Sequence, residues 1–432
     1  MSRKLNICDL HKSDRQHIHK TLSVIVNREV YSIFDFDNDH VYLPFYFGNE
    51  FSKFIDNSRR LKMIDRAINE TSDFTGTLRP AQLQVRNNAF KILQEQGCVI
   101  ISSYPGFGKT ITAIEMMCSL NEKTLIVTKQ QIIKMQWIKA FAQYAPNRKV
   151  STIVKDSFGG FKIDTDADVY MLSPVIFKDR DHFVPIIKEK LNEIKVVIVD
   201  EFHQIVSHVM SKSLFRLHPD ILIGLSATPR RPTNDPFKEN IGWFFGHRVV
   251  GAPLKKRHDV LVLESSFTIE EKDIKYNHRG KIDWNNVLNL QAECDHRNQL
   301  IVENILKRPN KTWLILVKRV SHALRLSEMF NNNGVECETL TGTKLEFDRQ
   351  CKILIGTTCK IGVGFDHAPI DALCVAADVV EYFEQFIGRC MRRPDVVPFI
   401  IDIKDTYSIL NSHFLKRVKV YVKHGGKIID AQ

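Results

Sequence analysis

The sequence predicts an α/β protein with two parallel β-sheets in tandem, each covered by helices, preceded by a smaller α+β segment. Three observations predict it. From about Thr77, short β-branched runs alternate with helical stretches, the pattern of strands buried on both faces. The rhythm breaks between about 251 and 297 and then resumes, as two domains joined by a connector would read. The first seventy-odd residues instead place aromatic runs on either side of Asp37-Asn38-Asp39, a hairpin pattern. The expected boundaries are 1–74 for an accessory domain, 75–250 for the first parallel-sheet domain, 251–297 for the connector and 298–432 for the second.

In the accessory segment, Tyr31–Phe36 and Val41–Phe47 are the hairpin strands. Pro44 suits an edge because it cannot donate to a ladder. The first domain takes its strands from Cys98–Ile101, Thr124–Val127, Val169–Leu172, Val196–Val199 and Ile221–Leu225. Lys255-Lys256-Arg257 and the polar stretch 276–280 mark the connector. The second series falls at Trp313–Val317, Lys352–Thr357, Leu373–Ala376 and Pro398–Ile403. Finally, residues 416–424 alternate basic and apolar side chains. They read either as an edge strand with one charged face or as a strip laid along a duplex.

Composition narrows the class. Hydrophobic content of 44% and charged content of 26% describe a globular chain of 432 residues, room for two or three domains. No apolar run approaches a membrane span and no apolar leader opens the chain, so the expectation is a soluble, intracellular protein without a membrane partner. Nine cysteines, an odd number with no C-x-x-C pair, argue against a disulfide framework or a zinc ribbon. A net charge of +11 suits a polyanionic partner such as nucleic acid.

The chemistry concentrates in a few segments. Ser103-Tyr104-Pro105-Gly106-Phe107-Gly108-Lys109-Thr110 follows an apolar run and precedes a helical stretch, the order a phosphate-cradling loop needs. Gly106 and Gly108 free the backbone to turn its N–H groups toward a polyphosphate. Lys109 adds a charge near the β- and γ-phosphates, and Thr110 a hydroxyl for Mg²⁺. Farther along, the apolar run Val196–Val199 ends in Asp200-Glu201. Asp200 suits a Mg²⁺ held through water, and Glu201 an attacking water. Ser226-Ala227-Thr228 follows a third apolar run.

In this order the segments resemble the superfamily-two DExH helicases and translocases, especially the XPB-like branch with its compact members in large DNA viruses and phages. Gly106–Thr110 resembles motif I, Asp200-Glu201-Phe202-His203 a DExH motif II, and Ser226–Thr228 motif III. Thr358, Gly364 and Asp366 match the spacing of motif V, and Gln385-Phe386-Ile387-Gly388-Arg389-Cys390-Met391-Arg392 that of motif VI. The resemblance spans about Thr77 to Asp402. Departures include Thr128 where motif Ia usually has proline, and Phe386 after the motif VI glutamine.

The resemblance implies two RecA-like parallel-sheet domains, ATP and Mg²⁺ as cofactors, and a nucleic-acid-dependent ATPase. By it, Lys109, Asp200, Glu201, His203, Gln385, Arg389 and Arg392 are catalytic. The two arginines act as fingers on the γ-phosphate. Arg79 and Gln82, in Leu78-Arg79-Pro80-Ala81-Gln82, join Pro105, Gly106, Phe107, Gly108, Lys109, Thr110, Gly364 and Asp366 in binding the nucleotide, with Gln82 reading the adenine edge. Phe74 either stacks on the base or packs in a core. Gln136-Trp137 reads as a packing anchor. Thr128, Lys129, Ser173, Lys318, Arg319 and Thr358 are the backbone grip on nucleic acid. DNA (duplex, forked or branched) is the expected polymer. RNA, or an ATP-switched transcription-complex remodeller that does not unwind, is the alternative.

Overall fold

The computed structural model describes residues 1–104, 106–155, 161–162, 164, 166–174, 190–205, 215, 217–227, 229, 235–252, 254–344, 346–362, 365, 367–393 and 395–430. The chain divides into two compact units, one from Met1 to Ala252 and one from Pro253 onward, with Tyr104–Gly106 grouped with the second.

The first unit opens with β1 (Ser2–Asn6), α1 (Lys12–Thr21), β2 (Ser23–Val26), β3 (Glu29–Ser32), β4 (Asp35–Phe36), β5 (His40–Pro44) and α2 (Ser58–Asn69). The expected hairpin exists but is shorter. β4 pairs antiparallel with β5, with Phe36 opposite Val41. Asp37 Oδ1 accepts from the backbone N–H groups of Asp39 and His40 at 2.9 and 2.7 Å, the side-chain turn that an Asp favours. Tyr31 and Ser32 belong instead to the β2–β3 ribbon. That ribbon turns through Asn27 (φ 51°) and Arg28 (φ 70°), the double left-handed pair of a type I′ hairpin. Pro44 is not on an edge strand: β5 is the centre of β1-β5-β4, and Pro44 lies at its end opposite Ser2. The segment is no separate body either. Leu5, Ile18, Leu43 and Phe45 share one apolar cluster with Leu125, Val197, Phe202 and Phe244.

The first large sheet uses α3 (Pro80–Gln96), β6 (Cys98–Ser102), α4 (Lys109–Leu120), β7 (Thr124–Val127), α5 (Gln131–Tyr144), β8 (Val150–Thr152), β9 (Val154–Lys155), β10 (Phe161–Lys162), β11 (Val169–Leu172), β12 (Val196–Asp200), β13 (Ile221–Ser226), α6 (Asn240–Phe245) and β14 (Val249–Val250). Its order is β14-β6-β13-β12-β7-β11-β8, and every pairing is parallel. β9 and β10 form a separate antiparallel ribbon. The strands read as unbroken apolar runs because helices cover both faces. α3 shows the local logic: Pro80 stands at its first turn, and Gly97 (φ 72°) ends it in the left-handed conformation.

The second unit contains β15 (His258–Ser265), α7 (Trp284–Glu293), α8 (Asp295–Leu306), β16 (Trp313–Val317), α9 (Val320–Asn332), β17 (Glu338–Leu340), β18 (Ile353–Thr357), α10 (Thr358–Ile361), β19 (Ala372–Val375), α11 (Phe383–Cys390), β20 (Phe399–Asp405), α12 (Ser408–Lys423) and β21 (Gly426–Asp430). The sheet order is β17-β18-β16-β19-β20-β15-β21, again parallel throughout. Two sequence expectations change here. Residues 251–297 are not merely a connector, because β15 lies between β20 and β21. Its apolar centre, Val260–Leu263, is buried, and the flanking charges disguised it. Residues 416–423 are helix, not strand. Leu410, Phe414, Arg417 and Tyr421 are the buried positions of α12, a helical stripe that overrides the local alternation. Among the described residues, no helix is long and apolar enough to cross a membrane. All nine cysteines are free thiols.

α12 docks through charge as well as apolar surface. Arg417 donates from Nε and Nη2 to the two oxygens of Asp402, both at 2.8 Å, and Tyr421 adds its hydroxyl at 2.9 Å. All three side chains are buried. Removing one partner leaves a buried charge unopposed. Arg417→Ala should therefore cost about 3–5 kcal/mol of the second unit's stability, measured by denaturant unfolding; a loss below ~1 kcal/mol would show the pair to be dispensable.

Candidate active site

Every strand of each sheet runs the same way, so each sheet gathers its strand-to-helix loops on one edge, where ligands of open α/β sheets collect. In the first unit that edge carries the glycine loop after β6, Thr128 and Lys129 after β7, Ser173 after β11, Glu201 after β12 and Ala227 after β13.

The glycine loop is built as its sequence requires. Gly106 (φ 85°) and Gly108 (φ 92°) are both left-handed, a conformation that costs other residues about 1–2 kcal/mol each. α4 starts at Lys109, so its unpaired first N–H groups open onto the loop. Lys109 Nζ donates to the Ser103 carbonyl at 2.7 Å. Gln82 and Arg79 brace the same loop from α3. Gln82 Nε2 donates to the carbonyls of Phe107 and Gly108 at 3.1 and 3.3 Å, and its Oε1 accepts from Arg79 N at 2.9 Å. Arg79 Nη2 also donates to Phe107 O. Gln82 is buried, and both ends of its amide are engaged, so it holds the loop. Phe74 stacks on Tyr144 with centroids 5.8 Å apart, a packing role.

The carboxylates sit two strands away, since β13 separates β6 from β12. Asp200 is buried. Its Oδ1 accepts from Glu201 N at 2.9 Å, and its Oδ2 from the indole Nε1 of Trp137 at 2.8 Å. Burial pushes the Asp200 carboxyl up to about 6, and the neighbouring Glu201 charge pushes the same way; Trp137 and Lys109 pull against them. Glu201 adopts φ 49°, ψ 47°, a strained conformation for a side chain of this kind. Ser226 Oγ donates to Glu201 Oε2 at 3.3 Å and lies 2.9 Å from His203 Nδ1, which is itself 3.4 Å from Glu201 Oε2. The hydroxyl and the imidazole fix this carboxylate at the sheet edge, the geometry a water-orienting base needs.

The donor set suits Mg²⁺. A hydroxyl (Thr110) and a buried carboxylate (Asp200) that has no hydrogen-bonded cation among the described residues are hard oxygen ligands. Among the described residues there is no cluster of three or more His, Cys, Asp or Glu side chains able to cage a metal.

In the second unit, motif V and motif VI positions meet. Arg389, buried on α11, donates from Nη1 to the Phe365 carbonyl at 2.6 Å and from Nη2 to Gly362 O. Arg392 Nη2 reaches the same Phe365 oxygen at 3.3 Å. Gln385 is buried on the same helix. Thr358 opens α10. Lys318 follows β16, and Arg319 Nη2 binds the carbonyl and side-chain oxygens of Asn285 at 3.0 and 2.7 Å. In the first unit, Lys129 is exposed and Ser173 half-buried, whereas Thr128 is buried and its hydroxyl has no partner among the described residues. Pro105, Thr228, Gly364 and Asp366 lie outside the described residues. Sequence reasoning missed Trp137 as a partner of Asp200. The only available signal was an indole, which carries an N–H that burial obliges to bond.

A glycine loop entering a helix, with paired carboxylates on the same edge of a parallel sheet, defines a phosphate-loop nucleoside triphosphatase. Residues 75–231 match the family described as type III restriction enzyme, res subunit. The chain is 34% identical over 409 residues to "Putative helicase 161L" of Invertebrate iridescent virus 6, covering 90% of this chain and 89% of that protein. It is 33% identical over 356 residues to "Putative helicase 055L" of Frog virus 3 (isolate Goorha), covering 81% and 78%. Among solved structures, S. cerevisiae Dbp5 bound to RNA and ADP BeF3 matches in fold with a TM-score of 0.53 at 15% identity, covering 82% of this chain and 94% of that one. The chain belongs to the superfamily-two helicases of large DNA viruses, with two RecA-like sheets, and is a nucleic-acid-dependent ATPase of helicase type.

A Cβ added at Gly108 would stand 2.4 Å from Gln82 Nε2 on backbone at φ 92°. Gly108→Ala should weaken binding of a fluorescent ATP analogue by roughly tenfold or more, the effect of about 1.4 kcal/mol. Unchanged affinity in a fluorescence titration would show that the loop's shape is not what holds phosphate.

Proposed function

We propose that this chain is an ATP-driven DNA motor that moves on or remodels duplex, forked or branched DNA. The observation that carries the reading is the convergence of Lys109, Asp200 and Glu201 on one edge of the first sheet, with Ser226 and His203 holding Glu201. In this reading Lys109 and the first N–H groups of α4 bind the β- and γ-phosphates. Thr110 and Asp200 hold Mg²⁺, which when bound neutralises phosphate charge. Glu201 orients the water that displaces ADP from the γ-phosphorus. Arg389 and Arg392 are assigned by the motif VI resemblance to the charge of the transferred phosphoryl group. Lys129, Ser173, Lys318 and Thr358 contact the polymer's phosphates and account for sequence-independent binding.

Support for DNA comes from the N-terminal ribbon and the charge. Ile25 and Val30 face each other across β2–β3 and are 72% and 64% exposed; Arg28 stands at the tip. Apolar side chains beside a cation form the kind of wedge that parts or bends stacked base pairs. The net charge of +11 favours any such polyanion.

Turnover measured with single-stranded DNA, duplex, forked DNA and RNA tests the reading. Duplex or forked DNA should stimulate most, with stimulation falling as salt rises; stimulation by RNA alone would overturn DNA as the substrate. In the same assay Lys109→Ala should abolish turnover while leaving DNA binding intact. Glu201→Gln should slow hydrolysis by roughly 10²–10⁴-fold with ATP still bound, and near-normal hydrolysis would remove Glu201 from its role.

A further inference from the structure

The geometry points to Trp137 as the positioning residue of the magnesium carboxylate: its indole N–H sets the plane in which Asp200 faces the nucleotide. This inference rests on the metal role proposed for Asp200.

A carboxylate at the end of a strand can rotate about its last bond, and its value as a ligand depends on where its lone pairs point. Asp200 has each oxygen engaged by one donor, Oδ1 by Glu201 N at 2.9 Å and Oδ2 by Trp137 Nε1 at 2.8 Å. Two donors on opposite oxygens fix the plane, and each oxygen keeps a second lone pair for the metal's water shell. The two donors differ in stiffness. Glu201 N belongs to the carboxylate's own chain and moves with it. Trp137 comes from α5, a different element, with its ring fully buried and packed against Phe141 at 5.9 Å between centroids. Its single N–H has nowhere else to point, and burial requires that it be satisfied.

The surroundings explain why an indole stands there. β7 and β12 are adjacent and parallel, with Val127 opposite Val199. α5 begins a few residues past the end of β7, so its second turn lies beside the end of β12. A phenylalanine would fill much of the same space but brings no donor, whereas the indole N–H reaches Asp200. Ligand carboxylates held by such outer partners typically lose ten- to hundredfold in metal affinity or activity when the partner is removed.

The test separates the donor from the bulk. Trp137→Phe, and a chain carrying 3-benzothienylalanine at 137 (sulfur in place of the N–H, shape retained), are titrated with Mg²⁺ while a fluorescent ATP analogue is bound. The Mg²⁺ concentration for half-maximal tightening should rise roughly ten- to hundredfold in both. Affinity for the analogue in EDTA should not change, and 6-fluorotryptophan at 137, which keeps the N–H, should behave as wild type. If Trp137→Phe fails to fold, the benzothienyl chain decides alone. A wild-type Mg²⁺ curve for the benzothienyl chain overturns the inference. Asp200→Asn distinguishes the two ways to fail. If it loses the Mg²⁺ response while the benzothienyl chain keeps it, only Trp137's role falls. If it too responds like wild type, the metal reading of Asp200 falls first.

Discussion

Both sheets are parallel throughout, and that constraint organises the rest of the molecule. Parallel neighbours cannot be joined by a tight turn, so each strand must hand the chain to a return crossing, usually through a helix. All the strand-to-helix loops of a sheet then share one edge. Residues far apart in sequence, such as Lys109, Trp137, Asp200 and Ser226, become neighbours without any loop having to reach. The same constraint buries the strands on both faces, which is why Cys98–Ser102 and Val196–Asp200 are apolar until the residue where chemistry begins.

Two buried aspartates show how differently the fold treats charge. Asp402 is closed off by the fork of Arg417 and the hydroxyl of Tyr421, and Arg417 also lies 3.5 Å from Asp378, a buried network that fixes α12 on its sheet. Among the described residues Asp200 has only neutral hydrogen-bond donors, an indole and an amide, and Glu201 close by raises its energy while the Lys109 charge lowers it. A buried carboxylate left in that state is costly, and a cation beside it would lower the cost. The first aspartate serves the fold, and the second carries a charge that the fold itself does not pair.

Much of this was readable in the sequence. The glycine loop, the acidic strand end and motif VI announce themselves because phosphate chemistry tolerates few residue types at those positions, and the apolar runs place most large-sheet strands within a residue or two. What escaped depends on contacts between distant residues. β15 hid behind Lys255-Lys256-Arg257 because its identity comes from its neighbours β20 and β21, not from its own flanks. α12 looked like an alternating strand locally, and only the burial of Leu410, Phe414, Arg417 and Tyr421 along one stripe shows its period. Nothing local to Gln82 shows that its amide grips the loop carbonyls, and nothing local to Trp137 shows that its indole reaches Asp200. In each case a polar atom's partner, invisible along the chain, decided the role.

The placement of β15 also bears on synthesis at the ribosome. Among the described strands of the second sheet it is the first to be made, yet it sits inside, flanked by β20 and by β21, the last of them to be made. Until β20 and β21 have emerged, an eight-residue strand with an apolar centre waits with both edges open, which invites pairing with other chains. The second unit must therefore be completed after translation of nearly its whole length, and a nascent chain stalled before Gly426 would present that edge to its neighbours on the polysome.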